Sequence, residues 1–224
     1  MNGTAFPLFL SLRVALAALA VIVPIGLFLG YIQARHDYRG RSLVDVLIVL
    51  PIVLPPSVTG YYLIMVLGRK GIVGGPLYEM MGVSIIFTFW AAVIAAVVVS
   101  LPLFIKFAQA AFHGVDPDLE AVARTLGAGP IATFFRVTVP VAWRGLVAGA
   151  VLCFARALGE FGATLMFAGN IPGKTNTMTL EIWSSYQAGD DARAMALVVT
   201  LTVVSVAVVF AFSRLEKLQG KDKR

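Results

Sequence analysis

Four stretches of this chain run for twenty residues or more without a charge: Val14 to Ala34, Val46 to Gly68, Met80 to Ile105 and Ala194 to Ser213. A fifth, Gly145 to Gly169, is interrupted only by Arg156 and Glu160. A helix needs about 20 apolar residues to cross the hydrocarbon core of a bilayer, where every backbone polar group has to be satisfied within the segment. Apolar residues make up 59% of the chain and charged ones 13%, against roughly half and a quarter in soluble domains. The expectation is an all-α integral membrane protein with about five transmembrane helices. It forms one domain over residues 8–213, followed by a charged tail, 214–224. The first run is too long for a cleaved signal peptide and lacks a small-residue site before its charged loop, so it reads as a retained helix.

The basic residues are unevenly shared between the two sides. One side takes the 35–45 loop, the 106–144 loop and the tail, and holds Arg35, Arg39, Arg41, Lys106, Arg124, Arg136, Arg144, Arg214, Lys217, Lys221, Lys223 and Arg224. The other holds Arg13, Arg69, Lys70, Lys174 and Arg193. The positive-inside rule places the richer side in the cytoplasm, with the N-terminus outside and the C-terminus inside. This distribution accounts for the net charge of +6 without a nucleic-acid partner. The single cysteine, Cys153, lies in an apolar run and cannot form an intrachain disulfide.

The longest cytoplasmic connection is 106–144, and residues 113–141 within it carry helix signals. Asp116-Pro117-Asp118 reads as a helix start: a capping aspartate, proline at the first helical position and a further acid in the first turn. Leu119, Val122 and Leu126 then fall on one helical face, with Arg124 turned away. Gly127 to Gly129 stop this helix, Pro130 opens a second over Ile131 to Val139, and Pro140 is expected to break it. The pair reads as two short amphipathic helices at the membrane surface, resting on headgroups or offered to a partner protein.

Catalytic chemistry finds no support. His36 and His113 lack metal-ligand spacing, and no nucleophile has a histidine partner in a recognisable motif. Ala168 to Thr175 loosely follows a phosphate-loop pattern, but it follows an apolar run on the outer side rather than a buried strand. No cofactor is expected on this chain.

Candidates for a pathway come from two anomalies. The second run holds Pro51, Pro55, Pro56, Ser57, Thr59 and Gly60 near its middle, and proline there breaks the helix. Broken helices inside a membrane line cavities, so Pro55, Ser57, Thr59 and Gly60 are candidates for contact with a passing anion through free amides and hydroxyls. A kink that only improves packing is the competing reading. Arg156 and Glu160, four apart, share a helix face and form an intramembrane ion pair, either structural or part of a gate.

The loop Glu120-Ala121-Val122-Ala123-Arg124-Thr125-Leu126-Gly127, followed after nine residues by Val137-Thr138-Val139-Pro140, resembles the Glu-Ala-Ala coupling loop of ABC importer permeases. That pattern runs Glu-Ala-Ala, three residues, Gly, nine residues, Ile-x-Leu-Pro. The Gly-to-Pro spacing matches, whereas Glu120 stands one residue before the pattern's acidic position. The resemblance implies that Asp116, Leu119, Glu120, Ala121, Val122, Ala123, Gly127 and Pro140 belong to a loop that couples the spans to a cytoplasmic ATPase, its first helix docking on that subunit. Phe154 to Thr164, Gly169 to Thr175, Leu50 to Pro56 and Arg124 to Gly129 are similar, in the same order, to the permease subunits of molybdate ABC transporters. Sulfate and tungstate permeases share much of this pattern. The resemblance implies a type I importer permease fold and a homodimer in the bacterial inner membrane. It also implies two separate ATPase subunits that carry ATP and magnesium, a periplasmic oxyanion-binding protein, and translocation by alternating access. An ATP-independent carrier or channel, or a membrane scaffold, are the rival classes.

Overall fold

A computed structural model describes residues 5–220, with eleven α-helices, one π turn and no strand among them. The first helix, α1 (Ala5–Arg35), is the longest element. It packs along α5 (Phe89–His113), and α8 (Val139–Leu158) packs against both. Small residues make this contact close: a side chain at Gly26 would collide with the Phe104 ring, and one at Gly30 with Ala108 Cβ at 2.7 Å. Packing of this kind is how helices associate where lipid removes the hydrophobic drive. The α5 face between its neighbours is an alanine stripe, Ala91, Ala92, Ala95, Ala96 and Ala108, all buried.

Four single helices, or five with one bent pair, are long and apolar enough to cross a membrane among the described residues. The bent pair is the second run. It divides into α2 (Arg41–Val53) and α3 (Pro56–Leu67), turned by 113°. The reason is Pro55-Pro56, because each proline pushes the residue before it into extended backbone. Leu54 (ψ 142°) and Pro55 (ψ 136°) both comply.

Three boundaries differ from those read in the sequence. The third run does not start a helix at Met80. A short helix, α4 (Gly74–Met81), stops at Gly82 in the left-handed region, and α5 begins only at Phe89, where the Thr88 hydroxyl caps it by accepting from Ala91 N. The fifth run does not continue to Gly169 as one helix: α8 ends at Leu158, and α9 (Gly162–Ala168) follows after a break. Nor does Pro140 break the chain. After α6 (Pro117–Thr125), a single helical path runs from α7 (Pro130–Thr133) through a π turn, Phe134–Thr138, into α8. A proline ring collides with the carbonyl four residues back, here Arg136, and that residue lies inside the widened π turn. A π bulge therefore takes up the proline within one helical path.

The loops assigned to opposite sides by charge lie at opposite ends of α1. At its start Ser11 Oγ accepts from Met178 N of α10 (Met178–Gln187) at 2.8 Å. At its end Arg35 reaches the segment that leads into α6. The last helix, α11 (Asp191–Gly220), extends the run from Ala194 to Ser213 past its end and into the charged tail. Lys221, Lys223 and Arg224 of that tail lie outside the described residues.

Candidate functional site

The α6 helix is built as its sequence dictates. The Asp116 carboxylate accepts from Asp118 N at 2.9 Å, and Pro117 occupies the first position. The far end closes as a Schellman turn: Gly127 N donates to Arg124 O and Ala128 N to Ala123 O, both at 3.0 Å. Gly127 sits at φ 85° as this motif requires. Leu119, Val122 and Leu126 are exposed, Leu126 at 83%, and Ile131 beyond the turn at 76%. Ala121 is exposed and Ala123 half-buried. An apolar stripe left bare on a short helix that stands off the bundle suits a groove on another protein.

Glu120 is placed differently from its neighbours in that loop. It is 6% exposed and faces the bundle. Its Oε1 accepts from Arg35 Nη2 at 3.1 Å and from Thr138 Oγ1 at 2.8 Å. Arg35 also donates to Val115 O at 2.8 Å. One carboxylate thus joins α6 to the end of α1 and to the π turn that leads into α8. Glu120 belongs to the coupling loop read in the sequence, and within this chain its carboxylate points inward, away from the bare stripe. Its partners Arg35 and Thr138 were not identified, since a contact across 85 positions leaves no local signal. Pro140 likewise stands in the root of α8 rather than at a loop end.

The broken second run divides its four candidate residues. Pro55 and Ser57 are exposed at the head of α3. Thr59 is buried with its hydroxyl unpartnered, and Gly60 is buried against α9. A Cβ at Gly60 would stand 2.7 Å from Met166 Cβ and 3.0 Å from Ala163 backbone. Gly60 is therefore a packing position. The amides expected to be free at the break are partly taken, because Val58 N and Thr59 N both turn back to Pro55 O, at 2.9 and 3.1 Å. Replacing Gly60 with valine is expected to pry α3 from α9 and destabilise the protein by about 1–3 kcal/mol, read as a lower melting temperature in detergent. Ser57→Ala should leave the melting temperature unchanged.

Arg156 Nη1 donates to Glu160 Oε2 at 2.7 Å, with the carboxylate nearly fully buried. The other oxygen of Glu160 accepts from Ala163 N at 2.8 Å and so caps α9, while its carbonyl accepts from Thr179 Oγ1 at 2.7 Å. Glu160 holds α8, α9 and α10 together across the break at Gly159. The stretch resembling a phosphate loop is a self-capped turn: Thr175 Oγ1 accepts from Ile171 N at 3.0 Å and donates to Gly169 O at 3.1 Å.

Residues 22–224 match the family model described as binding-protein-dependent transport system inner membrane component. The molybdenum transport system permease protein ModB of Escherichia coli K12 is 39% identical over 204 residues, 90% of this chain and 89% of that protein. The Mycobacterium tuberculosis ModB is 44% identical over 202 residues, 90% of this chain and 76% of that one. Among solved structures, a bacterial ABC transporter involved in import of the acidic polysaccharide alginate matches with a TM-score of 0.77 at 14% identity, covering 97% of this chain and 80% of its own. The MetNI methionine ABC transporter in an inward-facing conformation matches at 0.69 and 17%, covering 96% and 94%.

Proposed function

Because the chain belongs to the family of binding-protein-dependent transport system inner membrane components, we propose that it is the membrane-spanning subunit of an ATP-driven molybdate importer. It is a transport subunit with the type I importer permease fold, and ATP hydrolysis resides in a separate polypeptide. The observation that carries the mechanism is α6 itself. Its apolar stripe is bare at the cytoplasmic end of the bundle, while Glu120 on its other face is tied to α1 and α8. A push on the stripe is thereby delivered to two spans at once.

Two copies of this chain, two ATPase subunits below and an oxyanion-binding protein above form the working assembly in the bacterial inner membrane. The faces of α2 and α11, largely bare in the single chain, meet the second copy and the bilayer. Pro55 and Ser57, at the exposed head of the broken helix, face the path of the anion, and alternating access opens that path to one side at a time. Molybdate is supported as the cargo by the named transport role of the relatives, which align over nine-tenths of the chain.

Uptake into proteoliposomes that hold the chain, its co-expressed ATPase and the binding protein tests this reading. ATP-dependent molybdate accumulation, absent with a non-hydrolysable analogue and little affected by excess sulfate, is the expected result. Preferential uptake of sulfate or tungstate would replace the cargo. Uptake without the ATPase would overturn the importer reading in favour of a carrier.

A further inference from the structure

A cleft of about 550 Å³ opens where the end of α1 meets α7 and the π turn. Its walls are apolar: Leu27, Phe28 and Tyr31 on one side, Ile131, Phe134 and Phe135 on the other. The floor is braced, because Tyr31 meets Phe134 edge-to-face at 4.9 Å and both rings rest on buried Phe112, at 5.6 and 5.8 Å. Along α1 the lining begins at Pro24. From there to the end of α1 at Arg35 the helix rises about 16 Å, close to the ~15 Å of a single leaflet's hydrocarbon.

Of the lining residues, His36 and Arg124 carry the basic groups. His36 lies edge-on to Tyr31 at 6.1 Å. Arg124 approaches Glu120 no closer than 4.0 Å, and that carboxylate already serves Arg35 and Thr138. The acid nearest His36 in sequence, Asp37, is paired with Arg41. The guanidinium of Arg124 therefore keeps donors for a further anion, on the face of α6 opposite its bare stripe.

We propose that this cleft binds one anionic phospholipid of the cytoplasmic leaflet, an acyl chain lying along α1 and the phosphate held by Arg124 beside His36. The inference rests on the membrane orientation of the importer reading. Basic pockets between helices at the cytoplasmic side are suited to such headgroups, and the apolar length matches the hydrocarbon of a single leaflet. A lipid seated there braces α1 against the root of α8, next to the Glu120 junction.

The test is native mass spectrometry of the assembled permease–ATPase complex, released from vesicles of equal phosphatidylglycerol and phosphatidylcholine. Retained lipid should favour phosphatidylglycerol about five-fold, the preference one basic group confers. Arg124→Gln should abolish that preference, whereas Arg144→Gln, away from the cleft, should keep it. Leu27→Trp, which fills the cleft from the α1 side and leaves the charges and the docking surface in place, should lower total retained lipid. Equal retention of the two lipids, equal loss in both arginine variants, or a cleft shielded by another chain of the complex would each overturn the proposal. Failure of molybdate uptake in the same preparation would count against the importer reading alone, since lipid retention is measured without transport.

Discussion

Glu120→Ala in the assembled importer is expected to cut molybdate taken up per ATP hydrolysed by at least about tenfold while the chain still inserts and assembles. The wild-type carboxylate is buried and accepts from Arg35 and Thr138. Truncation leaves the Arg35 guanidinium, itself largely buried and with Nε already unpartnered, without its counter-charge. Removing one member of a buried pair costs about 3–5 kcal/mol, and tenfold in a conformational population takes only about 1.4 kcal/mol. The loss falls on the attachment of α6, because the α1–α5–α8 core is sealed elsewhere by Phe104, Ala108 and their neighbours. ATPase subunits would then still close, but against a lever that slips. Glu120→Gln should lie between, since its carbonyl oxygen still accepts from Thr138 and only the charge is lost. Wild-type stoichiometry in the alanine variant would show that force reaches the spans by another route.

The amino-acid sequence disclosed much of this architecture and least where long-range contacts decide. Apolar run length located the spans, and Asp116-Pro117 and Gly127 located both ends of α6, because caps act within a turn of the chain. Proline at 55 and 56 located the broken helix for the same reason. Helical periodicity found the Leu119–Val122–Leu126 stripe but could not say which face of α6 meets protein and which meets solvent. The burial of Glu120 depends on Arg35 and Thr138, which lie outside the helix and leave no mark on its periodicity. Pro140 was misjudged because a π turn relieves a proline in a way no local rule foresees. The late start of α5 was legible in hindsight from Gly82 and Thr88, which apolar run length overrode.

The Schellman turn supports the second large expectation. Gly127→Val should abolish ATP-driven uptake yet leave the membrane bundle intact. Nothing lies within 4 Å of a Cβ built at Gly127, so the substitution meets no neighbour and acts only through the backbone. At φ 85° an L-residue pays roughly 1–2 kcal/mol, and a β-branched one is a genuine outlier there. Relief comes by leaving the left-handed region, which breaks the bonds from Gly127 N to Arg124 O and from Ala128 N to Ala123 O. Leu126 and Ile131, on either side of the turn, then lose their fixed relation, and the docking surface loses its end. Asparagine tolerates this backbone better than other residues with a Cβ, so uptake should fall in the order Gly, Asn, Ala, Val while melting temperatures stay nearly constant. Paired uptake and melting measurements on the three variants decide the matter. A series ranked by side-chain volume would point to a steric clash with the ATPase, and full activity in the valine variant would separate the turn from coupling altogether.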